Sequence, residues 1–300
     1  MTDQSRQAVS IRDAVTWNPD FGYILVCDPA TELDAPHAQL RAWNQGRITQ
    51  SWVKFNAHSL CRTTVPERAI VLISEDGFYA TFSSQVHAGN IFDESQPQPT
   101  EPRYGSFCAV TQIDGKAYAV GLRGMVYRLD GPASWTRIDE QLARNFDAEA
   151  IDGFSASDIY VAGLHGEIWH WDGQSWGRRE SSTNVHLSAV KCAGDGVVYV
   201  AGQAGMLIRG RNNVWEILDQ QEMRSDIWDV EWFEGVLYAS TFSGLYRLEG
   251  RQLRAVDFGG DPPKTFYHLS AGEGVLWAVG ESDVMSFDGT AWTRIEWQIP

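Results

Sequence analysis

Paired cysteines, long apolar runs, helical periodicity and excess positive charge are all missing from this sequence of 300 residues. Each absence removes a class of protein. Cys27, Cys61, Cys108 and Cys192 lie far apart and form no C-x-x-C pair, so neither a zinc ribbon nor a disulfide framework is indicated. They read as buried thiols of a reducing compartment. The run "YILVC" (23–27) is far too short to cross a bilayer. The start of the chain, "MTDQSRQAVSIRDAVTWNPD", is polar, carries acids and has no apolar signal core, so the expectation is a cytoplasmic protein. Lysine and arginine together number 24 against 39 acids, a formal net charge of −15. Nucleic acid and anionic membrane both call for basic patches, and neither is an expected partner. A basic protein is the natural complement.

Catalytic templates are missing too. There is no G-x-S-x-G elbow and no Walker loop with its lysine. "GLRG" and "GLHG" lack the following helix that a phosphate cradle needs. Carboxylate pairs for glycoside hydrolysis can be assembled from several loops, but abundant acids make such pairs cheap.

What the chain does have is a repeat. Five segments align: "KAYAVGLRGMVYRLDGPASWTRID" (116–139), "DIYVAGLHGEIWHWDGQSWGRRE" (158–180), "VVYVAGQAGMLIRGRNNVWEIL" (197–218), "VLYASTFSGLYRLEGRQLRAVD" (236–257) and "VLWAVGESDVMSFDGTAWTRIEW" (275–297). Tyr118, Tyr160, Tyr199, Tyr238 and Trp277 are equivalent, with spacings of 42, 39, 39 and 39. "AIVLISEDGFYATF" (69–82) fits more weakly. A period near forty built from short β-type runs is the signature of a propeller. Each unit holds an apolar run, a G-x-x-G turn, a second run, D-G or a similar turn, and a last run opening on tryptophan. A further run precedes each pair: 106–112, 148–154, 187–194, 227–233 and 267–273. Four antiparallel strands make one blade. Trp135, Trp176, Trp215 and Trp292 are expected to fill the wedges between blades, and Leu253 to fill its own less fully.

The predicted fold is therefore all-β, a single propeller with clear blades at about 104–140, 147–180, 186–218, 226–257 and 266–298. Weaker blades fall at about 11–55 and 57–95, giving seven; six with an N-terminal embellishment is the alternative. "DESQPQPTEP" (93–102) reads as a surface connection within the domain.

The stretch 158–180 also raises a metal or catalytic site, through His165 and His170. The two fall at different heights of the blade, and no second ligand set lies nearby, so neither a metal nor a cofactor is expected. The expected binding surface is the face that carries the turns between second and third strands and the connections between blades. Its turn residues are Glu75, Asp76, Arg123, His165, Gln203, Phe242 and Glu281. Its connections add Asp93, Glu94, Glu101, Asp139, Glu140, Asp147, Glu180, Asp219, Glu222, Asp226 and Asp261. Such a rim focuses negative potential and speeds encounter with a cationic partner. Phe242 is the large apolar residue at a turn tip and a candidate anchor.

The pattern Y-V-A-G-x-x-G-x-I-x-H-x-D-G-x-x-W resembles bacterial β-propeller repeats of the loose WD40/YVTN/BNR-like group. It departs from true WD40 units, since Trp228–Asp229 is an isolated dipeptide in another strand, and from the Asp-box of sialidase-type blades. The resemblance implies a binding platform. Acidic, stand-alone members without a signal look similar to immunity proteins that block bacterial toxins. The expected function is a non-enzymatic, monomeric inhibitor or immunity protein that occludes a basic toxin or effector domain. The alternative is a carbohydrate-active enzyme or lectin that uses loop carboxylates and aromatic residues.

Overall fold

A computed structural model describes residues 9–27, 37–92, 105–220 and 223–298. It contains seven four-stranded antiparallel sheets, each built from four consecutive strands in simple up-and-down order. The blades span 10–53, 57–90, 107–137, 148–179, 187–217, 227–255 and 268–294. The two weakly repeating segments are thus full blades, and the ring has seven. Helix among the described residues is limited to three single 3-10 turns, Leu122–Gly124, Leu164–Gly166 and Gln203–Gly205. The "DESQPQPTEP" connection lies outside the described residues.

The pattern of burial explains why these segments cannot stand alone. Second strands such as Ala69–Ser74 and Val275–Val279 are buried along their whole length, because both faces of the sheet are covered by neighbouring blades. Outermost strands such as Val214–Ile217 are mostly exposed. The core is accordingly divided into seven clusters, and each joins two adjacent blades. The recurrent tryptophans lie in these wedges. Trp135 meets Tyr79 of the preceding blade edge to face, with ring centroids 5.7 Å apart. Trp215 meets Tyr160 in the same way at 5.9 Å. Trp176 is buried against Leu142 and Phe146, and its indole N–H donates to the Ile138 carbonyl at 2.7 Å.

The inner strands are laced into a ring by side chains of one blade that accept backbone N–H groups of the next. Asp13 accepts from Leu60 at 2.9 Å, Ser59 from Val110 at 3.2 Å, Asp152 from Cys192 at 2.9 Å and Asp229 from Leu269 at 2.8 Å. Ser270 of the last blade accepts from Thr16 of the first at 3.1 Å. Each such bond satisfies a buried donor that would otherwise be costly. First and last blades share no strand. Their seam is held by packing, with Trp43 and Trp277 at 5.8 Å and Arg41 donating to the Trp297 carbonyl at 3.4 Å. Gly22 makes room there, since a Cβ on it would fall 2.3 Å from the Trp277 ring.

Six of the seven inner strands carry a β-bulge near the end where the chain enters them. The G-x-x-G turns are fitted to these bulges. A Cβ on the first glycine of a turn would lie 2.2 Å from the Ser106 carbonyl at Gly121, and 1.9 Å from that of Asp147 at Gly163. The residue before the second glycine takes a left-handed conformation, with φ of 62° at Arg123, 59° at His165 and 56° at Ala204. The tips of these turns therefore project from one face of the ring.

Candidate binding face

The connections between blades and the turns between second and third strands emerge on the same face, as the strand register requires. Most expected rim residues are exposed there: Glu75, Asp76, Arg123, His165, Gln203, Phe242 and Glu281 at the turns, and Glu140, Glu180, Asp219 and Asp261 in the connections. Asp139 corrects the expectation. It is fully buried, accepting from the Val126 N–H at 3.0 Å and from Arg137 Nε at 2.6 Å. Its carboxylate ties a connection to the sheet and forms no part of the rim. Asp147 and Asp226 are half employed in the same manner: they accept the N–H groups of Arg123 and Ala204 at 2.9 and 2.8 Å, pinning the turn tips of the preceding blades. Asp261 is held by Arg294 through Nε at 2.7 Å. Glu222, Asp93, Glu94 and Glu101 lie outside the described residues.

His165 is exposed at its turn tip, whereas His170 is buried in the sheet and stacked on Tyr160 with centroids 4.3 Å apart. Its Nε2 lies 2.8 Å from Asp158 Oδ1, and its Nδ1 lies 2.8 Å from Arg179 Nη2. An arginine can only donate, so Nδ1 is the acceptor and the proton sits on Nε2, pointing at the carboxylate. That ring is a structural link between strands. Among the described residues no group of three or more histidines, cysteines and acids converges as metal ligands.

The axis of the ring is filled by polar side chains of the inner strands. Arg62 donates to the Ala271 carbonyl at 2.9 Å and to Gln112 at 3.3 Å, and also to the Thr16 carbonyl. Lys191 Nζ pairs with Glu231 at 2.6 Å and Asp152 at 3.6 Å. Burial alone would lower the Lys191 pKa, but the two carboxylates outweigh it and raise it. These contacts join blades 1, 2, 3 and 7 on one side and blades 4, 5 and 6 on the other. Side chains so committed brace the inner strands across blades.

At the loop face the channel opens through the bulged residues Arg12, His58, Cys108, Glu149, Ser188 and Trp228. Tyr267 holds the matching position in blade 7, one residue before its inner strand. One side of this mouth is acidic. Burial, then Glu149, Asp147 and Glu75, push the Cys108 thiol up to about 12. Burial also raises the Glu149 carboxyl, opposed by His186 at 3.7 Å. Cys61 is buried, while Cys27, Cys108 and Cys192 are only half-buried, less enclosed than the sequence reading has them. The other side of the mouth is aromatic. Trp228 is 50% exposed and Phe242 55%, and both rings meet Tyr267, at 5.8 and 6.0 Å. The sequence reading singles out Phe242 and misses Trp228 and Tyr267. The available signal is positional: at the height where other inner strands carry Arg, His, Cys, Glu and Ser, blades 6 and 7 carry aromatic rings.

The fold is a seven-bladed propeller with a braced axis and one face built from turns and inter-blade connections. No family model matches the sequence. The chain is 44% identical over 217 residues to the immune protein Tsi7 of Pseudomonas aeruginosa, a match covering 70% of this chain and 71% of that protein. It belongs to the family of that immune protein. Solved propellers share the fold at low identity. A structure of YCF48 bound to D1 peptide superposes with a TM-score of 0.67 at 12% identity, over 97% of this chain and 98% of that one. The WD40 β-propeller domain of Doa1 gives 0.65 at 11%, over 92% and 94%.

Proposed function

We propose that the chain is an immunity protein that neutralises a bacterial toxin by seating its loop face over a basic surface of the toxin domain, as a monomer in the cytoplasm and by binding without catalysis. The observation that carries this reading is kinship with an immune protein, joined to a loop face whose turn tips Glu75, Asp76 and Glu281 present carboxylates to solvent. A carbohydrate-active enzyme calls for a deep channel with a facing carboxylate pair. Here the axial carboxylates Asp152 and Glu231 share Lys191 instead.

The test is a triple reversal, Glu75→Lys, Asp76→Lys and Glu281→Lys, assayed for rescue of bacteria expressing the toxin domain and for association kinetics. Long-range attraction acts on encounter, so the association rate at low salt falls by about ten- to a hundredfold and the salt dependence flattens. An unchanged rate and unchanged rescue overturn the acidic-face reading, as does a toxin domain of net negative charge.

A further inference from the structure

Blade 6 breaks the repeat at the places that shape the loop face. Thr241 stands where blades 3, 4 and 5 carry the first turn glycine, Phe242 where blades 3 and 4 carry the half-buried Leu122 and Leu164, and Trp228 where blades 4 and 5 carry Glu149 and Ser188. The replacements act together. Thr241 pairs with Gly244 across a tight two-residue hairpin in place of the 3-10 turn, and the hairpin lifts Phe242 into solvent beside Trp228 and Tyr267. None of the three rings is needed to fill a wedge, because the blade 6–7 wedge is closed by Leu245, Phe266, Leu276 and Met285. Scattered exposed apolar residues are ordinary, but contiguous aromatic rings beside the centre of a recognition face mark a hot spot. Of the other exposed aromatics among the described residues, Trp52 sits on the outermost strand of blade 1, and Phe78 opens the third strand of blade 2, where it stacks on Phe55 at 6.2 Å.

Around the bulged residues the mouth is therefore two-sided, with Glu75, Asp147 and Glu149 near Cys108 on one side and rings on blades 6 and 7 on the other, while Asp226 and Glu281 add exposed carboxylates to the connection and turn of blades 6 and 7. Charge complementarity names the occupant. Resting on the immunity reading, we propose that a basic loop of the toxin enters this mouth, laying an apolar side chain on Trp228, Phe242 and Tyr267 while flanking arginine or lysine side chains meet Glu75, Asp147 and Glu149.

The experiment uses the full chain with 15N-labelled tryptophan and a short peptide carrying one leucine between two arginines. Twins of the peptide carry alanine for leucine or citrulline for arginine. The indole resonance of Trp228 is assigned with Trp228→Phe. The arginine–leucine peptide is expected to shift that resonance saturably, and each twin to bind about tenfold more weakly. Trp228→Ala combined with Phe242→Ser is expected to remove binding, whereas Val214→Ser, an exposed apolar change on an outer strand, leaves it intact. The proposal is overturned if the peptide leaves the Trp228 resonance in place, if both twins bind equally well, or if the double variant binds as before. Failure of the immunity reading shows separately, as loss of rescue by the wild-type chain.

Discussion

Blades 4 and 6 share one strand plan and differ in where they place their large rings. Blade 4 keeps Trp176 6% exposed inside the wedge, beneath a turn of Gly163, Leu164, His165 and Gly166. Blade 6 has Leu253 in the wedge and Trp228 outside, half exposed, beneath a hairpin tipped by Phe242. Where leucine replaces the wedge tryptophan, a surface cavity of about 620 Å³ opens beside Leu253, lined by Gln220, Met223 and Tyr246 among others. One contact is common to both blades: the Gln220 side chain accepts the Leu253 N–H at 2.7 Å, as the Gln141 side chain accepts that of Trp176 at 3.0 Å. The difference teaches that aromatic area stabilises the ring when it faces a neighbouring blade and is left open to solvent when it faces the mouth. The same residue type does both, and its strand position decides which.

The largest expected contrast lies between the two tryptophans. Trp176→Ala removes a buried ring and its hydrogen bond and is expected to cost about 3–5 kcal/mol, whereas Trp228→Ala costs within about 1 kcal/mol. Chemical denaturation of the two variants measures this, and equal losses would erase the contrast.

A second expectation concerns the inner strand of blade 6 just below Trp228. Burial, against the pull of His268 and of N–H bonds from Leu269 and Val230, lifts the Asp229 carboxyl to about 7. The folded chain therefore keeps this proton at a pH where the unfolded chain, with an ordinary value near about 4, has lost it. Stability falls as pH rises between those two values and is level above the higher one. Asp229→Asn takes away that slope, so the stability of the variant relative to wild type is expected to rise by about 1–3 kcal/mol between pH 4 and pH 7.5. Denaturation midpoints across that range check it, and parallel pH profiles would contradict it.

The smallest expected effect sharpens the comparison from the other side. Leu253→Trp restores the wedge residue of blades 3, 4, 5 and 7 beside a cavity able to receive it, with an expected gain of about 1 kcal/mol. A loss would mean that blade 6 is packed around leucine and that the cavity does not belong to the wedge.

Much of the fold is legible in the sequence. The tyrosine spacing, the turn glycines and the wedge tryptophans state a four-stranded unit, and the inner strand Ile227–Phe233 falls where its apolar run does. The first two blades read weakly because they lack those marks: their second strands, FGYILVC and AIVLIS, are apolar but carry no G-x-x-G turn after them. The candidate site is less legible. Phe242 stands out as a turn-tip aromatic, yet Trp228 lies inside an apolar strand run and reads as core. A bulge, invisible in the residue pattern, turns it outward. Asp139 reads as a rim acid because connections are usually exposed, and a contact with the Val126 amide draws it inside.

By itself the sequence determined the strand unit, its recurrence through the five clear blades and the acidity of the chain, since these follow from local periodicity, turn chemistry and composition; that the first two segments complete a ring of seven was decided by the structure. Only the tertiary structure decided which carboxylates are consumed in bracing the ring, which remain at the rim, and that Trp228, Phe242 and Tyr267 form one surface. Those outcomes depend on neighbours 13 to 47 residues apart along the chain, brought together by ring closure and inner-strand bulges, and no local pattern encodes such distances.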